Sequence, residues 1–290
     1  MPERRRPDRR KHMLSMATPV KQGPRRTAAI PWAYLLLLKP APAEPVPGPP
    51  WNDDDPAERA RILKNVGSLL TELRTTAPGR VMPDTAEVRR WHAACKLPVA
   101  GYAGHFRGYP MVPELIGYEV GVGTRQLDGW PSKVGVFSRS NRRQGAGAPQ
   151  LDGWPSKVGV FSPQVLEAVL ELLSKVEAGA ARLDAVLPPG GRPADAAQLQ
   201  AVASLAAITH GEWIRIHPYA NGNGRTARIW AAWVALRYGG PVFVSIKLRP
   251  DDAAYAIASA GSMGRPPDFR GDHSLALTLF THMLVQVLRP

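Results

Sequence analysis

The stretch that decides the fold is residues 217–228, whose sequence is H-P-Y-A-N-G-N-G-R-T-A-R and which we call the motif loop. An apolar helical pattern ends just before it, and a second helix is predicted to begin near Gly224. Gly222 and Gly224 have no Cβ, so successive backbone N–H groups can converge at the start of that helix. Such a concave group of amides is an anion-binding nest. The sequence therefore predicts an anion site between two helices.

Three side chains of the motif loop suit a polyphosphate ligand. Arg225 and Arg228 are three residues apart, so they lie on one face of the second helix. Two guanidinium groups above a nest suit several phosphates better than a single carboxylate. We predict that His217 titrates near neutral pH beside the anion, as a general base must. The Asn-Gly pairs alone would indicate no more than a hairpin turn.

Helix-start signals and apolar spacing predict a mainly α fold around the motif loop. Asp55-Pro56, Asp84-Thr85 and Ser162-Pro163 are typical of helix N-termini. The predicted helices cover about residues 55–74, 84–95, 162–176, 194–216, 224–238, 251–260 and 274–288. The strand signal is limited to Tyr118–Val122 and two V-G-V-F segments, which predicts one small β-hairpin.

The composition is that of a globular chain with a basic, proline-rich N-terminal part. Of the 290 residues 44% are hydrophobic, and the 30 prolines are about twice the usual share. The formal charge is +13, and residues 1–50 hold ten Lys or Arg against three acids. We predict a disordered tail and linker over residues 1–50 and a folded domain over 51–290. The single cysteine, Cys95, excludes an intrachain disulfide and an all-thiolate zinc site.

An apolar run at residues 30–38 raises the question of whether the protein is secreted or inserted into a membrane. Its nine residues are far fewer than the ~20 that span a bilayer. A long basic lead and an internal proline disfavour a signal peptide, so we predict a cytoplasmic protein without a membrane partner. Residues 1–29 contain no aromatic side chain, which disfavours nucleic-acid binding except through the charge of the tail.

One segment of the chain is duplicated. The sequence Q-L-D-G-W-P-S-K-V-G-V-F-S occurs at 126–138, the first copy, and again at 150–162, the second copy. Two copies are too few for a solenoid, which needs about three repeats, so a tandem duplication is the better interpretation. We predict that one copy pairs with Tyr118–Val122 and that the other loops out, because an unpaired strand would leave an exposed edge.

The motif loop resembles the signature of the Fic-domain family, His-Pro-Phe-x-(Asp/Glu)-Gly-Asn-Gly-Arg-x-x-Arg. Ten of the twelve positions fit; Tyr219 replaces Phe and Asn221 replaces the acid. The strong resemblance covers about residues 195–245. A weaker one covers 51–290 and includes the segments 91–92, 103–108 and 208–216.

This resemblance implies a helical domain that transfers AMP from ATP to a Ser, Thr or Tyr hydroxyl of a target protein and releases pyrophosphate. His217 would deprotonate the hydroxyl. Asn221 would be a weak Mg²⁺ ligand in place of the acid, since its amide oxygen carries no charge. The phosphates would be held by the backbone of Gly222, Asn223 and Gly224, by the Asn223 side chain, by Arg225 at the β-phosphate and by Arg228 at the γ-phosphate.

The family also has a β-hairpin flap that binds the target by strand addition. The resemblance places this flap at Tyr118, Val120, Val122, Val158 and Val160. The duplication therefore lies in the predicted flap region.

Members of the Fic-domain family share a control element, a glutamate that pairs with the second arginine of the motif. The resemblance implies that this arginine is Arg228 here. Glu72 has the required spacing after Ser68, and no glutamate follows Glu212. A solvated residue on an amphipathic helix is the simpler interpretation of Glu72. We therefore predict a chain that is constitutively active or held by a separate antitoxin-like protein.

Three alternatives stay open at this point. The first is a Fic-fold transferase with another phosphate-bearing donor. The second is a kinase-like member as in the Doc branch, which has Lys where Gly224 stands and is therefore disfavoured. The third is a nucleotide-binding module without catalytic activity.

Overall fold

The computed structural model describes residues 55–98, 100–112, 115, 120–121, 157–246, 253–264 and 270–288. The tail and linker predicted for residues 1–50 lie outside these ranges. The described chain forms the helices α1 (Pro56–Thr76), α2 (Thr85–Lys96), α3 (Val165–Asp184), α4 (Ala196–Ile216), α5 (Asn223–Arg237), α6 (Ala253–Met263) and α7 (Ser274–Leu288). Two 3₁₀ turns, Ala77–Gly79 and Ser162–Gln164, precede α2 and α3.

The helices start where the capping signals predict. The Asp55 carboxylate accepts hydrogen bonds from the amides of Ala57 and Glu58, both at 2.9 Å. Asp84 accepts from the amide of Glu87 at 2.8 Å and so caps α2 in the same way. Each cap satisfies amide donors that have no acceptor within the first helical turn. The predicted mainly α class is confirmed.

The core is organised around α4 and α5. Helix α4 packs against α3, α5, α6 and α7, and every residue of α5 except Gly224 is buried. A helix buried on all sides is a core element, whereas a surface helix buries one stripe. The start of α5, which carries the predicted site, is therefore held on the most enclosed helix of the described chain.

An aromatic cluster lies beneath the motif loop. The rings of Trp91 and Trp230 meet edge to face with their centroids 5.0 Å apart. Trp213 packs against Trp230 at 6.1 Å and against Tyr219 of the loop at 5.8 Å. Aromatic pairs at these separations bury large apolar areas in fixed geometries. The loop therefore rests on a surface that α2, α4 and α5 build together.

Two short strands, β1 (Val120–Gly121) and β2 (Lys157–Val158), pair antiparallel. Val120 lies opposite Val158, and Gly121 lies opposite Lys157. Strand β2 belongs to the second copy of the repeat. The first copy and the residues that would join the strands, 122–156, lie outside the described ranges, so the predicted flap stays a prediction. Within the described ranges, no helix is both long and apolar enough to cross a bilayer.

We expect two glycine-to-alanine changes in helices to act in opposite directions. A Cβ added at Gly67 in α1 would meet open space, whereas a Cβ added at Gly211 in α4 would lie 2.8 Å from Cε1 of the His273 ring. Gly67→Ala should raise the free energy of unfolding by about 0.5–1 kcal/mol, because alanine loses less backbone entropy in a helix. Gly211→Ala should lower it, because the His273 ring must move. Urea denaturation measures both, and an equal gain at the two positions would contradict this packing.

Candidate functional site

The part of the motif loop between α4 and α5, residues 217–222, begins and ends with residues in the left-handed region. His217 has φ 53° and ψ 55° and ends α4, with its amide donating to the Trp213 carbonyl at 3.0 Å. Gly222 has φ 87° and turns the chain into α5. Glycine adopts this conformation without steric cost, which explains the residue type at position 222. The two turns hold the start of α5 beside the end of α4.

The side chain of Asn223 closes the loop. Its Oδ1 accepts from the Tyr219 amide at 2.8 Å, and its Nδ2 donates to the Tyr219 carbonyl at 2.7 Å. The side chain is buried, so both bonds are shielded from water. The prediction that this side chain cradles phosphates needs correction, because its amide group binds the backbone of the loop instead.

His92 holds the loop from the side of α2. Its Nδ1 accepts from the Gly104 amide at 2.8 Å, so Nε2 carries the hydrogen that it donates to the Asn221 carbonyl at 2.9 Å. The ring stacks on Tyr219 with centroids 3.7 Å apart. Burial lowers the pKa of His92 to about 3, so the ring is neutral at pH 7. The sequence singles out His92 only as part of the segment 91–92 that resembles the family, and it does not indicate this bond to the loop.

Tyr219 is the apolar anchor of the loop. Its ring is fully buried and also packs on Phe106 at 5.1 Å, and its hydroxyl donates to the Val88 carbonyl at 3.2 Å. Replacement of the family's Phe by Tyr is therefore accommodated by a partner for the added hydroxyl. Burial raises the pKa of Tyr219, so the hydroxyl stays protonated and neutral.

The amides of the predicted nest lie at the start of α5. The first backbone hydrogen bond of the helix runs from the Thr226 amide to the Gly222 carbonyl at 3.0 Å. The amides of Asn223 and Gly224 precede it and have no carbonyl acceptor within the helix. The Gly222 amide donates to Asn221 Oδ1 at 2.6 Å. Helix α5 has neither a side-chain cap nor an acidic residue in its first turn, so its positive end is not compensated from within the helix.

Two buried arginines add positive charge to this end of α5. Arg225 and Arg228 are 4% and 1% exposed, values that are unusual for a charged side chain. A Cβ at Gly222 would lie 3.5 Å from Arg225 Nη2, which places that guanidinium beside the loop. Cations at a helix N-terminus oppose the helix dipole, which favours anions there. This arrangement of positive charges destabilises the folded chain when no ligand is bound, and it suits a multiply charged anion.

His217 lies half-buried at the other side of the loop. Its Nδ1 is 3.3 Å from the Ile214 carbonyl, so we assign the hydrogen to Nδ1 and leave Nε2 as the proton acceptor. Burial, and next the charge of Arg107, lower the pKa of His217 to about 4. The prediction that His217 titrates near neutral pH is therefore wrong for the chain without a bound anion, because the desolvated ring disfavours a proton.

Arg107 is a residue of the site that the sequence does not single out. It is 1% exposed and donates from Nε to the His217 carbonyl at 2.7 Å. Its Nη2 donates to the carbonyls of Val160 at 2.8 Å and Ile216 at 3.2 Å. One guanidinium thus joins the end of α4 to the segment that follows β2. Its only sequence signal is its place in segment 103–108, which resembles the family.

The comparison with known families agrees with this geometry. Residues 128–235 match the model of the Fic/DOC family. This part of the chain is a Fic/DOC domain. The matched range contains the motif loop and ends within α5. No curated protein matches the chain in sequence.

Two solved structures have a similar course of the chain. One is the BepC protein, a VirB-translocated effector of Bartonella tribocorum with bound AMPPNP, at 15% identity and a TM-score of 0.46, covering 80% of this chain and 88% of that one. The other is the N-terminal Fic domain of the Bep effector of Bartonella sp. AR 15-3, at 12% identity and a TM-score of 0.43, covering 81% and 85%.

The segment after β2 fits closely against His217 and the end of α4. Gly159 has φ 83°, and a Cβ there would lie 2.6 Å from both the His217 Cβ and the Ile216 carbonyl oxygen. Val160 packs against the core, and its amide donates to the Ile216 carbonyl at 3.2 Å. The prediction that Val160 contacts a target is therefore corrected, since Val160 fastens the segment to α4. Val120 and Val158 pair through their backbones, and Tyr118 and Val122 lie outside the described residues.

The structure does not bring Glu72 to Arg228. The Glu72 carboxylate accepts from both terminal nitrogens of Arg90, at 3.1 Å from Nη1, and its side chain is 41% exposed. Arg228 is buried against Tyr255 of α6. Glu72 is therefore a surface ion-pair partner of α2, which agrees with the simpler interpretation of this residue and not with the possible inhibitory role.

The described residues do not make a protein-held metal site at the loop. The atom predicted to be a weak Mg²⁺ ligand, Asn221 Oδ1, accepts the hydrogen bond of the Gly222 amide. Among the described residues, no group of three or more His, Cys, Asp or Glu could hold a metal ion. A neutral amide is a poor substitute for the carboxylates that Mg²⁺ prefers.

The duplicated repeat supplies a matched pair of variants for the contact at Gly159. Gly159→Ala should lower the free energy of unfolding by about 1–3 kcal/mol, because alanine is strained at positive φ and its Cβ meets His217. The same substitution in the first copy, Gly135→Ala, should change it by less than about 0.5 kcal/mol. Urea denaturation of both variants measures the difference. Equal losses would show that the second copy is not uniquely docked on α4.

Two buried histidines and the half-buried His217 predict acid sensitivity of the fold. The pKa values of His92 and His210 are lowered to about 3 and that of His217 to about 4, mainly by burial. In the unfolded chain they titrate near 6.5, so between about pH 6 and 5 the unfolded state binds more protons. The free energy of unfolding should therefore fall as the pH falls through this window. His217→Asn should reduce the slope by up to about 1.4 kcal/mol per pH unit, and an unchanged slope would contradict the lowered pKa of His217.

Proposed function

We propose that this Fic domain is a protein adenylyltransferase, which transfers AMP from ATP to a hydroxyl of a target protein. The observation that carries the proposal is the start of α5. It has open first-turn amides, no acidic residue and no side-chain cap, and it bears the buried Arg225 and Arg228. A polyphosphate would complete the hydrogen bonds of these amides and neutralise the arginines. Membership of the Fic/DOC family supports the choice of a nucleotide.

The chemistry assigns one role to each group of the loop. The amides of Asn223 and Gly224 hold the α- and β-phosphates, and the Gly222 amide joins them once it leaves Asn221 Oδ1. Arg225 binds the β-phosphate and Arg228 the γ-phosphate. The target oxygen attacks the α-phosphorus, the bond between the α-phosphorus and its bridging oxygen breaks, and pyrophosphate leaves. The hydroxyl proton passes to Nε2 of His217.

The base is coupled to the place where a target would bind. Strand β2 leads directly into Gly159, which touches His217, and Arg107 joins both segments. A target strand added to the β1–β2 pair would bring its hydroxyl close to the end of α4. We therefore propose that Val120 and Val158 belong to the flap that would bind the target strand. Because Glu72 lies elsewhere, we also propose that control, where it exists, comes from a separate antitoxin-like inhibitor.

Radiolabelled ATP tests the transfer and the role of His217. The full chain is incubated with candidate target protein extract and ATP labelled at the α- or the γ-phosphate. We expect protein-bound label from the α position only, and His217→Ala should reduce its rate about 10²–10⁴-fold with ATP binding retained. His282→Ala, on the exposed face of α7, is the matched control and should transfer at the parent rate.

The same assay separates the alternatives. Label from the γ position only would show a kinase-like activity, and it would contradict AMP transfer. ATP binding without label from either position would leave a binding module or another donor. Full transfer by His217→Ala would contradict the assignment of the base.

We expect ATP to raise the pKa of His217. In the free chain burial and the charge of Arg107 hold this pKa at about 4. A polyphosphate at the start of α5 adds negative charge near the ring and favours its protonated form. An NMR titration of the His217 ring, with and without ATP, should therefore show the pKa moving toward neutral pH. If the pKa of His217 stays near its value in the free chain when ATP is bound, the phosphates do not lie near the ring, which would contradict the proposed site.

A further inference from the structure

Helix α6 covers the second arginine of the motif loop with one tyrosine. Tyr255 is 6% exposed, and Arg228 Cζ lies 5.0 Å from the centroid of its ring. Burial lowers the pKa of Arg228, while a hydrogen bond to the side chain of Tyr255, which is neutral at pH 7, acts in the opposite direction. Tyr255 thus contacts the guanidinium with both its ring face and its hydroxyl, which is a favourable arrangement for a desolvated cation.

The hydroxyl of Tyr255 is itself held in place by α4. His210 Nε2 lies 2.7 Å from the Tyr255 oxygen. The His210 ring is 1% exposed and packs edge-on against Tyr255 at 5.4 Å and against Phe280 of α7 at 5.0 Å. The ring is uncharged at pH 7, because burial lowers its pKa to about 3. Tyr255 is therefore fixed between His210 of α4 and Arg228 of α5.

A second connection fastens the other end of α6 to the same part of α4. Ser262 Oγ lies 3.2 Å from His273 Nδ1, and His273 Nε2 lies 2.9 Å from a carboxylate oxygen of Glu212. Ser262 is fully buried, so this chain of bonds is closed to a substrate. Glu212 is two residues from His210 along α4. Helix α6 is thus attached at both ends, and Tyr255 has little freedom to leave Arg228.

We propose that Tyr255 is a positioning residue that orients Arg228 toward the terminal phosphate of the nucleotide. The inference rests on the proposed function, because that function assigns Arg228 to the γ-phosphate. An arginine side chain loses much rotamer freedom when it is ordered. Ordering by Tyr255 before the ligand arrives removes this cost from binding. The effect should appear with nucleotides that have a γ-phosphate and not with AMP.

Calorimetric titration of the full chain with ATP and with AMP tests this. Tyr255→Phe keeps the ring over Arg228 and removes the hydroxyl. We expect its ATP affinity to fall about tenfold, the effect typical of losing a hydrogen bond to a charged group, with AMP affinity unchanged. In an Arg228→Ala background the same substitution should cause no further loss of ATP affinity.

Tyr238→Phe is the matched control. Tyr238 is a buried tyrosine at the other end of α5, its hydroxyl bonds the Ala180 carbonyl at 3.2 Å, and Arg80 Cζ lies 5.0 Å from its ring. It should lower thermal stability as Tyr255→Phe does and leave both affinities at the parent value.

Several outcomes would overturn the inference while the proposed function stands. These are an equal loss of ATP and AMP affinity in Tyr255→Phe, a loss that adds fully to that of Arg228→Ala, or a Tyr255→Phe chain that unfolds where Tyr238→Phe does not. A parent chain that binds no ATP would instead overturn the proposed function, and the inference with it.

Discussion

The two hydrogen bonds between the Asn223 side chain and the backbone of Tyr219 are the constraint on which the site depends. They close a loop of five residues between the end of α4 and the first turn of α5. The ring of Tyr219 is fixed on the aromatic core, so the bonds carry that rigidity to the first amides of the helix. His92 adds a third attachment at the Asn221 carbonyl. A nest built in this way is formed before its ligand arrives, which lowers the entropy cost of binding.

This rigid loop makes an electrostatic arrangement tolerable that would otherwise be disfavoured. Two buried arginines stand at the positive end of α5, where anions and acidic side chains stabilise a helix. The packing of α6 over Arg228 and the aromatic cluster under the loop supply the opposing stabilisation. Local features that weaken a fold in this manner are typical of functional sites, where the ligand relieves the cost.

The helices and the shared face of the two motif arginines could be predicted from the sequence, because the signals for them are short-range. Capping aspartates and apolar periodicity indicate the helices, and the spacing of Arg225 and Arg228 indicates their common face. The missing part depends on contacts that local patterns do not show. Arg107 reaches the His217 carbonyl across 110 positions, and nothing near Arg107 in sequence indicates that acceptor. The resemblance implies that the Asn223 side chain binds the phosphates, whereas the structure shows it bonded to the backbone of Tyr219. Nothing in the local sequence indicates these two bonds.

The duplicated repeat shows another limit of local reasoning. The two copies are identical, so no property of their residues distinguishes the one that docks on α4. The second copy leads directly into the turn Ser162–Gln164 and α3, which places Gly159 and Val160 against Ile216. Docking of the first copy would instead insert 24 residues before α3, as the offset between the copies requires. Position along the chain therefore decides between them.

Amide NMR spectra of the isotope-labelled full chain during titration with ATP test most directly whether the nucleotide binds at the start of α5. If the start of α5 is the nucleotide site, the amide protons of Asn223 and Gly224 should move strongly downfield as they donate to phosphate oxygens. The Gly222 amide should shift with them as it exchanges Asn221 Oδ1 for the ligand. Saturable ATP binding that leaves these three amides unmoved would place the nucleotide elsewhere and contradict the account.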